Sequence, residues 1–235
     1  MTRRGVMGLF VLGAAISLAG CGERAEVRTK VSIEVVTPQG VRAGSSVWSW
    51  TLSKAGVALA SPYDGRFRGE AVAVDLPNGR TLFALVKDQE MLAERQFRDL
   101  KPEGPEDRVA DIRAIAKQVG AQRRLGCLPR PDENYSAIYD CPLLVTFRDI
   151  RDPKSVERVD PAALDKSFGP GVTLRRITVA VTDEPVTTGI EKRLGWLREV
   201  GRKRGSLIPN PPALLKDTTP IQLVASTDFS TELYK

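Results

Sequence analysis

The feature that most limits how this chain can fold is a two-residue apolar period interrupted by turn residues. Between Lys30 and Thr37, Val31, Ile33 and Val35 alternate with Ser32, Glu34 and Val36; between Ser46 and Leu52, Trp48, Trp50 and Leu52 alternate with Val47, Ser49 and Thr51. Successive side chains of a strand point to opposite faces, so both runs predict half-buried β-strands. Pro38-Gln39-Gly40 ends the first of them. Apolar alternation from Glu70 to Leu76 and from Arg80 to Lys87 flanks Pro77-Asn78-Gly79, and Asn-Gly between two such runs is the strongest short-range hairpin signal. Val72 and Val74 on one arm, with Leu82, Ala84 and Val86 on the other, are expected to pack against the earlier strands. Further strands are expected at Leu143 to Ile150 and Val172 to Thr182, with a last edge strand at Ile221 to Ala225.

Helical periods are fewer. Val109, Ile112, Ile115, Ala116 and Val119 predict a helix from Glu106 to Val119, with acids at its start and Gly120 at its end. Thr188-Gly189-Ile190-Glu191 matches a capping box, and Ile190, Leu194, Leu197 and Val200 extend it into a predicted helix from Thr188 to Val200. A shorter helix is expected between Val156 and Gly169, introduced by Asp160-Pro161. The sum is an α+β fold, mainly antiparallel β-sheet and sandwich-like, with two packing helices. Trp48 and Trp50 on one strand face are expected in the core, the alternative being a stacking platform for sugars or a membrane contact.

The amino-terminal segment has a different character. Arg3 and Arg4 precede an apolar stretch of fourteen residues, Val6 to Ala19, too short to cross about 30 Å of hydrocarbon as a helix. A basic start, an apolar middle and small residues at the end are the three parts of an export signal. The stretch closes on Leu18-Ala19-Gly20-Cys21, which resembles the lipobox of bacterial lipoprotein precursors. The resemblance implies a diacylglycerol thioether on Cys21, cleavage after Gly20 and acylation of the new amino terminus. It also implies a signal peptide at 1–20, a membrane partner through the lipid, and a cell-envelope location facing the periplasm. Gly22, where an Asp would mark retention in the inner membrane, tilts that expectation to the outer membrane. A polar tether is expected at 21–28 and a β-rich body at 29–235, with subdomains at 29–100 and 101–235 as one way of dividing it. Within the body, Gly44 to Trp48, Gly69 to Leu85 and Val181 to Leu197 resemble proteobacterial envelope proteins with no assigned activity, which implies no chemistry.

With Cys21 assigned to lipid, two of the three cysteines remain, Cys127 and Cys141. An oxidising compartment makes a disulfide between them the expectation, with buried free thiols as the alternative. The chain has no histidine, which excludes Ser-His-Asp and Cys-His catalysis and histidine-ligated zinc by this chain alone. Asp132, Asn134 and Ser136 fall short of a calcium loop, because Ala137 and Leu143 stand where Gly and Glu are needed. Gly169-Pro170-Gly171 likewise fails as a dinucleotide loop, with Leu174 at the third glycine. No metal or cofactor is expected, and no nucleic acid.

The formal charge of +6 includes Arg3 and Arg4, so the body is mildly basic. Its most basic segment holds Lys192, Arg193, Arg202, Lys203 and Arg204. One reading is complementarity to a helix carboxyl terminus; the other is contact with anionic lipid or lipopolysaccharide phosphate. Two function classes follow. The first is an interaction module that binds another envelope component. The second is a histidine-independent hydrolase working on envelope glycan through paired carboxylates, for which Asp149, Asp152 and Asp160, or Asp64 and Glu70, are the candidates.

Overall fold

A computed structural model describes residues 23–55, 61–104, 106–127, 141–201, 205–208 and 220–232. Its backbone is the expected α+β arrangement, with two antiparallel sheets and short helices. The alternating run at residue 30 belongs to a longer strand, β1 (Arg24–Thr37), which turns through Pro38-Gln39 into β2 (Gly40–Lys54). The strand therefore starts inside the stretch expected to be a tether: residues 24–28 are paired backbone, with Ala25 and Val27 buried. Arg24, Glu26 and Arg28 lie on the outward side of the same alternation and Glu23 is exposed just before the strand, which is why those residues read as solvated.

Sheet one has the order β3-β2-β1-β9-β6, adding β3 (Tyr63–Arg68), β6 (Gln122–Arg124) and β9 (Thr173–Val181). Sheet two has the order β4-β5-β7-β8, from β4 (Val72–Asp75), β5 (Thr81–Ala84), β7 (Leu144–Phe147) and β8 (Val156–Arg158). A division near residue 100 runs through both sheets, because β1 pairs with β9 and β5 pairs with β7.

Sheet two is covered on both faces. One face lays Val72, Val74, Leu82 and Ala84 against Val31, Ile33, Val35 and Trp48 of sheet one, as the hairpin pattern predicts. The same core takes Leu92 of α1 (Leu92–Gln96) and Val109, Ile112 and Ile115 of α2 (Arg108–Ala116). The other face carries Phe83, Val145 and Phe147 under Ile190, Leu194, Leu197, Val224 and Phe229. A strand buried on both sides has no polar face to show, and β5 and β7, read as Thr-Leu-Phe-Ala and Leu-Val-Thr-Phe, are buried at every position. The β4–β5 connection is a turn with Gly79 N–H donating to the Leu76 carbonyl at 3.0 Å and Gly79 at φ +80°, where a side chain would be strained.

Helix lengths depart from expectation. Asp107 caps α2 by accepting from the amides of Val109 and Ala110, and the helix stops at Ala116 because Gly120, at φ +91°, turns the chain to donate to the Val181 carbonyl. The predicted helix from Thr188 to Val200 is two pieces, a 3-10 turn at Ile190–Lys192 and α4 (Leu197–Val200). Gly189 at φ +112° precludes a capping box, and the Ile190 amide donates to Glu70 instead. The apolar stripe is nevertheless correct in content, since Ile190, Leu194 and Leu197 are all buried. α3 (Leu164–Phe168) follows Asp160-Pro161 by several residues, Pro161 lying in the preceding turn. The expected strand at Ile221 to Ala225 is a 3-10 turn, Pro220–Leu223, plus a single bridge from Ala225 to Ser206. Both tryptophans are structural: Trp48 is buried and donates to the Glu70 carbonyl, and Trp50, half-buried, donates to Glu94. Cys127 and Cys141 are joined by a disulfide with Cα atoms 5.0 Å apart, as expected; the Asp132, Asn134 and Ser136 loop that it closes lies outside the described residues.

Candidate functional site

The acids that suggested hydrolysis are dispersed in different environments. Asp149, Asp152 and Asp160 stand exposed on turns and accept from the amides of Arg151, Lys154 and Ala162 respectively, the short-range bonds by which Asp stabilises a turn. Asp64 is exposed on the edge strand β3. Glu70 is 2 % exposed. Its Oε2 accepts from the Ile190 amide at 2.9 Å and its Oε1 from the Ser230 hydroxyl at 3.2 Å.

Burial pushes the Glu70 carboxyl above its ordinary range; the Ile190 and Gly189 amides and Ser230 pull the other way, and Glu191 adds to the rise. This carboxylate pins three segments, β4's approach, the turn at residue 190 and the carboxyl-terminal chain, and has no opening to a substrate. Its raised value means that the native state holds the proton more tightly than the unfolded chain does. The stabilisation is therefore complete below the ordinary carboxylate pKa and is lost as pH rises through the folded value. Urea titrations from pH 4.5 to 8 are expected to show the wild type losing stability, relative to Glu70→Gln, as pH increases. A constant difference between the two proteins would remove Glu70 as the source.

A cleft lies elsewhere among the described residues. It has a volume of about 500 Å³ and opens between the β4–β5 turn, at Gly79, Arg80 and Thr81, and the β7–β8 loop, at Arg148 to Arg151. Phe83 and Phe147, edge to face at 5.7 Å, lie behind it, sealed in the core under the carboxyl-terminal layer. β5 and β7 bring the two walls together, paired at Phe83–Val145 and Ala84–Leu144, with the Leu85 amide donating to the Leu143 carbonyl and the Thr146 hydroxyl to the Thr81 carbonyl. Arg80 is held firmly: it donates to the Ser167 carbonyl at 2.7 Å and to Glu157 at 3.0 Å, and its guanidinium lies 5.6 Å from the centre of the Phe168 ring. Arg148 reaches the same Glu157 at 3.1 Å, and Arg151 grips both oxygens of Asp149. Among the described residues Asp149 is the one acid lining the cleft, and the Arg151 guanidinium holds its carboxyl below the usual range. A carboxylate kept ionised in this way is poorly suited to protonating a leaving group.

The basic segment near residue 200 is partly neutralised. Arg193 forms a two-armed pair with Asp75 at 2.5 and 2.8 Å, while Lys192 is exposed; Arg202, Lys203 and Arg204 lie outside the described residues, as does Cys21. Among the described residues no group of three His, Cys, Asp or Glu side chains could hold a metal ion, and no helix is long and apolar enough to cross a membrane. Sequence patterns did not single out Arg80, Arg148 or Arg151. Nothing in Phe147-Arg148-Asp149-Ile150-Arg151 separates a cleft wall from a solvated turn, since the difference lies in the apposition of a turn some seventy positions earlier. No known protein family matches the chain, and no curated protein or solved structure does so either.

Proposed function

We propose that this protein is a lipid-anchored component of the bacterial cell envelope, held by Cys21, with its folded body facing the periplasm and acting as a binding module. The observation that carries the reading is Leu18-Ala19-Gly20-Cys21 at the end of an apolar run behind Arg3 and Arg4. More than one acyl chain converts a marginal membrane hold into a stable one. Gly22 favours the outer membrane over the inner.

The geometry of the body is compatible with such an anchor. Arg24, the first residue of β1, is three positions past Cys21, so the reach of the chain keeps the two Cα atoms within about 11 Å. β1 then runs fourteen residues, roughly 45 Å at strand rise, to the Pro38-Gln39 turn. One end of the sheet would thus sit close to the bilayer and the other would project away from it. Binding in preference to hydrolysis is supported by the acids themselves: Asp64, Asp149, Asp152 and Asp160 are exposed, and Glu70 is sealed in the core. Another envelope protein or an anionic lipid is the partner class, and the exposed Lys192 belongs to the basic segment that would meet it.

Metabolic labelling with a palmitate analogue tests the anchor. Cys21→Ala is expected to abolish the label and to move the protein from the membrane fraction to the soluble one. Label that persists in that variant overturns the reading.

A further inference from the structure

We infer that the carboxyl-terminal segment from Ser226 to Glu232 occupies a peptide-binding groove of its own chain, and that an extended segment of another protein takes its place there. The partner carries an aromatic residue, two hydroxyl residues and an acid in succession, as Phe229-Ser230-Thr231-Glu232 does. Neither sheet includes the segment, whose regular structure is a 3-10 turn at Ser226–Asp228 and one bridge, Ser230 to Glu70. Three backbone bonds hold it. The Ala71 amide donates to the Phe229 carbonyl at 2.8 Å, the Thr231 amide to the Gly69 carbonyl at 3.0 Å, and the Val86 amide to the Asp228 carbonyl at 2.9 Å. Gly69, Ala71 and Val86 lie just outside β4 and β5, where the ladder has stopped and main-chain groups are left to pair. Such bonds hold an extended segment whatever its sequence, and side-chain pockets then choose among sequences.

Four consecutive side chains meet such selective contacts. Phe229 enters a cage of Phe83, Phe147 and Trp196. The Ser230 hydroxyl, fully buried, donates to Glu70 at 3.2 Å, and the Thr231 hydroxyl oxygen accepts from the Gly69 amide at 2.9 Å. Arg68 donates to both carboxylate oxygens of Glu232, from Nη2 at 2.7 Å and from Nε at 3.2 Å. A caged aromatic anchor beside a two-armed carboxylate is a composition that concentrates binding energy in few residues.

The resident segment competes with any partner. A covalent tether presents it at an effective concentration of about millimolar, so a partner binds the wild type only by displacing it. The contact is thus autoinhibitory, and weakening the resident side chains opens the groove to the partner. On the anchor reading, on which this clause alone rests, the partner is another envelope protein.

Fluorescence anisotropy of a labelled synthetic peptide of residues 220–235, titrated with the full chain in a non-ionic detergent, tests the proposal. The peptide is expected to bind the Phe229→Ala chain saturably at one site, at least tenfold more tightly than it binds wild type, and to raise that variant's urea midpoint. A peptide carrying Phe229→Ala, and one carrying Glu232→Ala, should each bind at least tenfold more weakly. If the Phe229→Ala chain does not fold, Glu232→Arg, which opposes Arg68 and keeps every ring, takes its place with the same tenfold difference expected. Absence of saturable binding to the folded variant, equal affinity for variant and wild type, or full binding of the Phe229→Ala peptide overturns the proposal. Wild type is expected to sediment as a monomer; a dimer that grows with concentration would assign the groove to a second copy and overturn a partner of another kind. None of these measurements depends on acylation, so a failed anchor and a failed groove give different results.

Discussion

Gly44→Ala is expected to destabilise the protein by about 3 kcal/mol or more, enough to unfold a domain of ordinary stability under mild conditions. A Cβ added at Gly44 would fall 2.1 Å from the Ala73 carbonyl oxygen and 2.9 Å from its carbon. Both are backbone atoms of β4, so no rotamer change relieves the overlap. Relief requires sheet two to move off sheet one, and that movement opens the packing of Val72 and Val74 against Val31 and Ile33. Gly126→Ala is the control, since nothing lies within 4 Å of the added atom there and the backbone is not left-handed. It should stay within about 0.5 kcal/mol of wild type. Urea midpoints measure both, and equal midpoints for the two variants would mean that the sheets do not meet at Gly44.

Phe229→Ala should cost about 3 to 5 kcal/mol, the range for a fully buried aromatic removed from a core that cannot close the cavity. Phe229 is 0 % exposed and meets Phe83, Phe147 and Trp196 at 5.8, 5.6 and 6.0 Å. The loss should be local before it is global. The carboxyl-terminal segment is tied to sheet two through the Ala71 amide to the Phe229 carbonyl, the Val86 amide to the Asp228 carbonyl and the Thr231 amide to the Gly69 carbonyl. Amide exchange in native buffer should therefore accelerate at Ala71, Val86 and Thr231 ahead of Ile33 in sheet one. Uniform acceleration at all four would show that the segment and the sheets open as one unit.

The carboxyl-terminal segment also shows how far local patterns reach. Ile221 to Ala225 has the composition of a strand, yet it closes a 3-10 turn because its neighbour in space is Leu207, which donates to the Val224 carbonyl, and not a sheet edge. The stripe from Ile190 to Val200 identified Ile190, Leu194 and Leu197 correctly as buried, with Val200 half-buried, and had their continuity wrong. Gly189 at positive φ and the Ile190 amide given to Glu70 moved the start to Ile190, and the chain leaves the helix between Lys192 and Leu197. In the same way β1 extends back to Arg24, beyond the limit set by its charged residues, because pairing with β2 continues there.

What the sequence determined by itself is everything decided within a few residues of chain. The alternation of Val31, Ile33 and Val35 chose a strand and its buried face, Pro77-Asn78-Gly79 placed a turn, the acids Glu106 and Asp107 marked a helix start, and two remaining cysteines chose each other. Each of these rests on the period of a backbone, the dihedral freedom of a turn residue or a count. What only the tertiary structure decided is what depends on residues far apart. Glu70 reads as one more charged residue beside a strand, and it is buried because Ile190, 120 positions later, offers it an amide. Arg80, Arg148 and Arg151 read as solvated charges, and they line one cleft because β5 and β7 pair across sixty residues and bring their flanking connections side by side. Local chemistry is written into neighbouring residues, whereas burial and juxtaposition depend on which strands find each other, which no short window of sequence contains.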